Sequence, residues 1–300
     1  VNLEVEIAEL KLQNPVMAAS GTFGYGAEYA SIVDIQKLGA IVCKGTTLEE
    51  REGNPQPRIW ETPSGILNSV GLENPGVEEV IRTMSPIWET WQVPVIVNIA
   101  GNNPGEYALL ASRLDGVKGV SGIEVNLSCP NVEGIMDSGE NPGLAFDIIS
   151  RVRKSTSFPV VAKLGYSSHV SEVACACEEA GADALTVMNS IKGMAIDIKR
   201  GKPALGNVTG GLSGPAIKPI ALYLVYQVAK AVSIPVIGCG GISSGEDALE
   251  FMLAGARAIQ VGAATLSHPQ ATVNIIHELE EFCLKENISS LREIIGLAQT

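Results

Sequence analysis

Short β-branched runs alternate with longer segments of 3.6-residue hydrophobic spacing along the whole chain. The runs are PVMAA (15–19), AIVCK (40–44), VIVNI (95–99), IEVNL (123–127), VVAKL (160–164), ALTVM (184–188), VIGCG (236–240) and AIQVG (258–262). Each is apolar at nearly every position and bounded by Gly, Pro or polar residues, as parallel strands covered on both faces are. Helical spacing fills the intervals, as in PGEYALLASRL, HVSEVACACEEAG, AIKPIALYLVYQVAKAV and GEDALEFMLAG. Related lead-ins, QVPVIVNI, SFPVVAKL and SIPVIGCG, point to a repeated βα unit. Eight such units predict an α/β fold, a closed (β/α)8 barrel, as a single domain over residues 1–300. The rival is an open doubly wound sheet, and no G-x-G-x-x-G follows the first strand to support it. The N-terminal NLEVEIAELKLQNP alternates like a strand pair and is expected to form a β-hairpin closing the bottom of the barrel. Residues 45–76 and 189–213 are long insertions rich in Gly, Pro and Asn. Both follow strands, on the face where barrels carry chemistry.

Composition narrows the class. Hydrophobic residues make up 46% and charged residues 18%, which fits a globular enzyme rather than a disordered chain. A net charge of −12 argues against a general nucleic-acid surface but leaves a locally basic site for a small anion open. VNLEVEIAELKLQNP has charges every few residues and no signal-peptide run, and nothing approaches the roughly 20 apolar residues of a membrane span. The expectation is a cytoplasmic protein with no membrane association. The six cysteines show neither iron–sulfur nor zinc spacing, so no metal is expected on this chain. Cys43 and Cys239 read as strand residues, and Cys175, Cys177 and Cys283 as helical ones.

Polar residues at the C-terminal ends of barrel strands face the site. Here they are Ser20, Lys44, Asn98, Asn126, Lys163 and Asn189, followed by Gly240–Gly241 and Gly262. An unpartnered buried lysine costs several kcal/mol, so two lysines and three asparagines at equivalent strand ends imply a polar site and not a dry core. GCGGISSGEDALEF and QVGAAT put glycine turns after strands seven and eight, where barrels recurrently hold phosphate, and a helix N-terminus there favours an anion. Amides and an ammonium around the mouth suit a flavin, whose ring edge becomes negative on reduction. FMN is preferred over a sugar phosphate, which the spacing alone does not separate. In GIEVNLSCPN, a lone thiol, Cys129, stands among Asn126, Ser128, Pro130 and Asn131 where a strand runs out. A core cysteine needs no such company.

The stretches KGTTLEEREGNPQPRIWETPSGILNSVGLENPG (44–76), PVIVNIAG, NLSCPN, NSIKGMAIDI and TGGLSGPAIKPIAL resemble the dihydroorotate dehydrogenases, and most closely the catalytic subunit of the class 1B, NAD-linked type. The resemblance runs from NPVMAASGTFGYG to VGAAT, essentially the whole chain. It implies an FMN-binding (β/α)8 barrel that oxidises dihydroorotate to orotate in pyrimidine synthesis, with Cys129 as the base. Substrate contacts carried over by the resemblance are Lys44, Asn68, Ser69, Val70, Gly71, Leu72, Asn126, Asn189 and Ser190. Cofactor contacts are Ser20, Lys44, Gly45, Asn98, Asn126, Lys163, Met188 and Gly214, with Gly240, Gly241, Gly262 and Ala263 on the phosphate. The resemblance also implies a partner subunit carrying FAD and a [2Fe–2S] cluster, and a homodimer of this chain within a heterotetramer. Direct transfer to fumarate, as in class 1A relatives, and a non-redox phosphate-binding barrel stand as alternatives.

The chain departs from the family pattern in four places. VEGIMDSGENPGLAF replaces a shorter glycine-rich turn after SCPN, in the segment expected to be the lid carrying Cys129. AKLGYSSHV keeps Lys163 but changes the loop behind it, NSIKG has Ser190 for a threonine, and Glu73 in GLENPG adds a charge beside the substrate loop.

Overall fold

In a computed structural model, which describes residues 1–127 and 139–300, the chain opens with an antiparallel hairpin of β1 (Val5–Ile7) and β2 (Leu10–Leu12). β3 (Val16–Ala18) and β4 (Ala40–Val42) follow, and the long segment after β4 carries β5 (Ile59–Thr62) and β6 (Gly65–Asn68). Next come α1 (Val77–Trp88), β7 (Val95–Ile99), α2 (Pro104–Leu114), β8 (Gly122–Asn126) and α3 (Pro142–Ser155). β9 (Val160–Leu164), α4 (Val170–Glu179) and β10 (Ala184–Val187) continue the alternation. The second long segment holds β11 (Ile191–Met194), β12 (Ile196–Asp197), β13 (Lys202–Pro203) and β14 (Thr209–Ser213). The chain then runs through α5 (Lys218–Ala231), β15 (Val236–Cys239), α6 (Gly245–Leu253), β16 (Ala258–Val261), α7 (Ala264–Ser267) and α8 (Ala271–Lys285). Helix starts follow local chemistry: the Asn103 and Asn141 side chains accept from the N–H groups of Glu106 and Leu144, with proline in the first turn of each helix.

Eight strands close into a parallel barrel in the order β10-β15-β16-β3-β4-β7-β8-β9. Strand parity sorts the interior into layers. Met17, Ala40, Val42, Ile96, Val161, Ala184, Ile237 and Ala258 point inward at the bottom and pack on Val5, Ile7 and Leu12 of the hairpin, which plugs that end as expected. Two residues further along their strands come Asn98, Lys163, Thr186 and Gln260, with Glu124 of β8, all buried and all polar. A second apolar core lies between the barrel wall and the surrounding helices, with Leu110, Ile149, Val173, Val225 and Phe251 among its buried members. The two long segments are not loose loops. They pair into one four-stranded sheet, β11-β14-β6-β5, across the barrel mouth. Gly211 sits opposite Asn68 in that sheet and Leu212 opposite Leu67. No helix among the described residues is long and apolar enough to cross a membrane.

Candidate active site

Above the polar layer lies a cavity of about 1050 Å³, at the upper end of what small-molecule sites occupy and roomy enough for more than one ring system. The barrel contributes Ser20, Lys44, Asn98, Asn126, Lys163, Met188 and Asn189 to its wall, each at or just beyond a strand end. Gly45, Asn68, Val70, Gly71 and Leu72 enter from the segment after β4, and Ser190 and Gly214 from the segment after β10. Gly240, Gly241, Gly262 and Ala263 line the remaining side. Of the residues expected here, Ser69 departs. It is fully buried, does not line the cavity, and its hydroxyl takes the Asn54 amide at 2.9 Å while its N–H donates to the Arg58 carbonyl. Ser69 faces the loop interior because its neighbours in the strand-like stretch Asn68–Val70 alternate sides. Cys129 lies outside the described residues.

The floor of the cavity is a network built around Glu124. Its Oε1 accepts from Asn98 Nδ2 at 2.7 Å and lies 3.6 Å from Lys163 Nζ. Its Oε2 accepts from Thr186 Oγ1 at 2.9 Å and from Gln260 Nε2 at 2.6 Å. Lys163 Nζ in turn donates to Gln260 Oε1 at 3.3 Å. Burial opposes the charge on Lys163, but Glu124, with Cys239 beside it, outweighs burial and leaves the lysine pKa raised. Cys239 stays a thiol, since burial pushes its pKa up further than Lys163 lowers it. Sequence reading named Asn98 and Lys163 but passed over Glu124, Thr186 and Gln260. The signal was there: a glutamate in GIEVNL and a glutamine in AIQVG, each inside an otherwise apolar strand.

Around the rim, Asn189 Nδ2 donates to Asn126 Oδ1 at 3.3 Å, and Tyr107 Oη donates to the Asn126 carbonyl at 2.7 Å. Asn68 Nδ2 donates to the Gly211 carbonyl at 3.3 Å, tying the β6 edge of the wall to β14. Glu73 brings less free charge than its sequence position suggested, because Arg58 Nη1 meets its Oε2 at 2.7 Å. Arg58 also donates to the carbonyls of Asn54 and Glu52, each at 2.6 Å, which staples the segment after β4.

The glycine turns form a cradle. Gly240 and Gly241 have φ of +130° and +77°, and Gly214 +99°. A Cβ on Gly240 would meet Ala221 Cβ at 2.7 Å, so only glycine fits. Among the described residues, the N–H groups of Gly240, Gly241, Ala263 and Ala264 donate to no other protein group, which leaves them for an anion. The helix that follows is different from the expectation. The start of α6 is already capped: Asp247 accepts from the Ser243 and Ser244 N–H groups at 2.8 and 3.2 Å, and Glu278 accepts from Gly245 N–H. Anion binding at this end therefore falls to the two glycine turns and not to the α6 terminus. Lys218 anchors Asp247 at 2.7 Å.

Fold and site together define a (β/α)8-barrel enzyme with its chemistry at the C-terminal ends of the strands. Residues 2–283 match the family profile described as dihydroorotate dehydrogenase, and the chain belongs to that family. It is 52% identical over 299 residues to the catalytic subunit of dihydroorotate dehydrogenase B (NAD(+)) of Geobacter sp. (strain M21), covering 98% of this chain and 97% of that one. The protein of the same name from Desulforamulus reducens (strain ATCC BAA-1160 / DSM 100696 / MI-1) is 52% identical over 300 residues, covering 99% of each. A crystal structure of a DHODH from Eimeria tenella in complex with ferulenol superposes with a TM-score of 0.83 at 21% identity, over 99% of this chain and 88% of that one, a likeness of fold.

Proposed function

We propose that this chain is the FMN-bearing catalytic subunit of a class 1B dihydroorotate dehydrogenase, oxidising dihydroorotate to orotate in pyrimidine biosynthesis. Electrons pass to NAD through a partner subunit with FAD and a [2Fe–2S] cluster, in a cytoplasmic heterotetramer containing a homodimer of this chain. The relatives named as catalytic subunits of the NAD(+)-linked enzyme support this reading.

The observation that carries it is a cavity lined by both kinds of group that a flavin mononucleotide needs. The N–H groups of Gly240, Gly241, Ala263 and Ala264, which donate to no other described protein group, suit a phosphate. On the wall of the same cavity, which Lys163 also lines, Asn98 Oδ1 is a buried acceptor with no hydrogen-bond partner among the described residues. Such an acceptor is costly unless a ligand donor completes it. FMN, when bound, supplies the acceptor for the substrate's hydride. Ser20, Gly45, Met188 and Gly214 would shape its seat, and the Lys163 ammonium would stabilise negative charge at the ring edge.

Substrate recognition falls to Lys44, which meets the carboxylate, and to the amides of Asn68, Asn126 and Asn189, each offering a donor and an acceptor to the imide edges. Val70, Gly71, Leu72 and Ser190 close around the ring, while Ser69 holds the loop. Cys129 takes the C5 proton onto its sulfur as the C6 hydride leaves, a role that a thiol performs better than an alcohol at neutral pH.

An anaerobic visible spectrum of the purified chain, before and after dihydroorotate, tests the reading. The expected result is an oxidised flavin band that bleaches on addition. A colourless protein, or a yellow one that bleaches with dihydrouracil and not with dihydroorotate, overturns it.

A further inference from the structure

Glu124 is a carboxylate sealed inside the barrel, with 0% exposure, one layer below the cavity. Nothing in the proposed chemistry uses it directly. Burying a carboxylate there costs several kcal/mol before its partners are counted, so its placement needs a reason. The reason lies in what it does to its neighbours. A carboxylate only accepts hydrogen bonds. Asn98 must therefore turn its NH2 down to Glu124, which leaves Oδ1 up beside Gly45 on the cavity wall. Gln260 must likewise turn its NH2 to Glu124, which presents Oε1 to Lys163. Thr186 donates to the same carboxylate, so all three uncharged neighbours are fixed in polarity by one group. The fourth neighbour is the ammonium, whose own side chain is only 5% exposed.

Resting on the FMN reading above, we propose that Glu124 is a positioning residue: a buried counter-charge that keeps Lys163 cationic and Asn98 acceptor-outward, and so sets the field at the flavin ring edge from beneath. Glu124 on β8, Gln260 on β16 and Cys239 on β15 face Lys163 directly, and Asn98 on β7 and Thr186 on β10 hold Glu124; of these only Glu124 and Cys239 titrate, and Cys239 stays neutral. Without Glu124, the lysine is a buried cation with no counter-ion. Buried lysines of that kind titrate as low as about pH 5–6, so Lys163 would shed its proton within the working range.

The test is Glu124→Gln in the full chain with its partner subunit, loaded with FMN. The measurement is the flavin midpoint potential from about pH 5.5 to 9, beside FMN affinity. The expected result is near-native FMN affinity, a midpoint potential lower than the parent's at pH 8, and a new titration of that potential absent from the parent. Changing Lys163→Met in the same background should abolish the new titration, while Cys239→Ser should not. A potential that matches the parent's across the range, or a titration that survives Lys163→Met, overturns the proposal while leaving the FMN reading intact. Loss of flavin from the parent itself would instead strike the FMN reading. Should Glu124→Gln fail to fold, the Glu124→Gln/Lys163→Met pair, which strands no charge, is expected to fold and bind FMN. A pair no more soluble than the single variant refutes the counter-charge role.

Discussion

Replacing Gly241 with alanine sets the glycine cradle against its own geometry. A Cβ there would stand 2.8 Å from the Gly214 carbonyl oxygen and 2.8 Å from both N and Cβ of Lys218, at φ +77°. Two costs add. A left-handed alanine is disfavoured by about 1–2 kcal/mol, and overpacking against backbone that cannot swing aside costs about 1–3 kcal/mol. The turn relieves both by moving away from Gly214 and the start of α5, and must be forced back to receive a phosphate. Binding then carries the full cost of about 2–5 kcal/mol, an FMN affinity lower by between about 30-fold and a few thousand-fold. Fluorescence-quenching titration of the apo-protein with FMN measures this. Gly116→Ala is the control, because its φ is also positive, at +72°, while its Cβ would meet nothing within 4 Å. The control should lose about 1 kcal/mol of stability and no affinity. An alanine at 241 that binds FMN within about threefold of the parent, where RT sets threefold at well under 1 kcal/mol, would refute the reasoning, as would a control that weakens FMN equally.

Leu12→Ala empties part of the barrel plug, where Leu12 is 1% exposed. It should cost about 2–5 kcal/mol, visible as a lower Tm, with FMN affinity at 25 °C unchanged. Arg58→Ala removes the staple on the segment after β4. Its half-exposed pair with Glu73 is worth less than about 1 kcal/mol, but loss of the two carbonyl contacts should raise the dihydroorotate KM more than it lowers kcat; steady-state kinetics decides. Asp247 is opposed by burial, yet Lys218 and Ser243 hold its pKa below the usual carboxylate range. Its contribution is therefore complete above about pH 4 and lost as pH falls through the lower folded value. FMN retention should stay flat from pH 7 to about pH 4 as far as this clamp is concerned, and a loss centred near pH 6 that Asp247→Asn removes would contradict it.

The eight strands were legible because buried parallel strands are continuous apolar runs, and each run fell within two residues of its strand. The hairpin plug was legible because its alternation has a period of two. The polar strand ends led to the cavity, since parity sends every second residue inward and Asn98, Asn126 and Lys163 share that parity. Three things were hidden. The pairing of residues 65–68 with 209–213 joins segments far apart in sequence, and short polar strands carry little hydrophobic signal. The capping of α6 by Glu278 comes from a different helix, so the glycine motif before α6 could not disclose it. Glu124 was masked by its neighbours: one charge inside an apolar run reads as a flaw in the pattern until the partners from four other strands are in place.

The roof sheet has a consequence for how this barrel can change. β4 and β10, from which its two halves depart, lie diametrically opposite, four places apart in either direction around the ring. In most barrels each loop is a separate attachment, and a new specificity can be installed by exchanging one of them. Here the two attachments are stitched together across the opening, Ile66 to Ser213, Leu67 to Leu212 and Asn68 to Gly211. A graft that replaces either half alone would leave the other with an unpaired edge directly over the reaction chamber. The recombination unit for redesign, and for descent, is consequently the bridge as a whole, two distant stretches of chain inherited together.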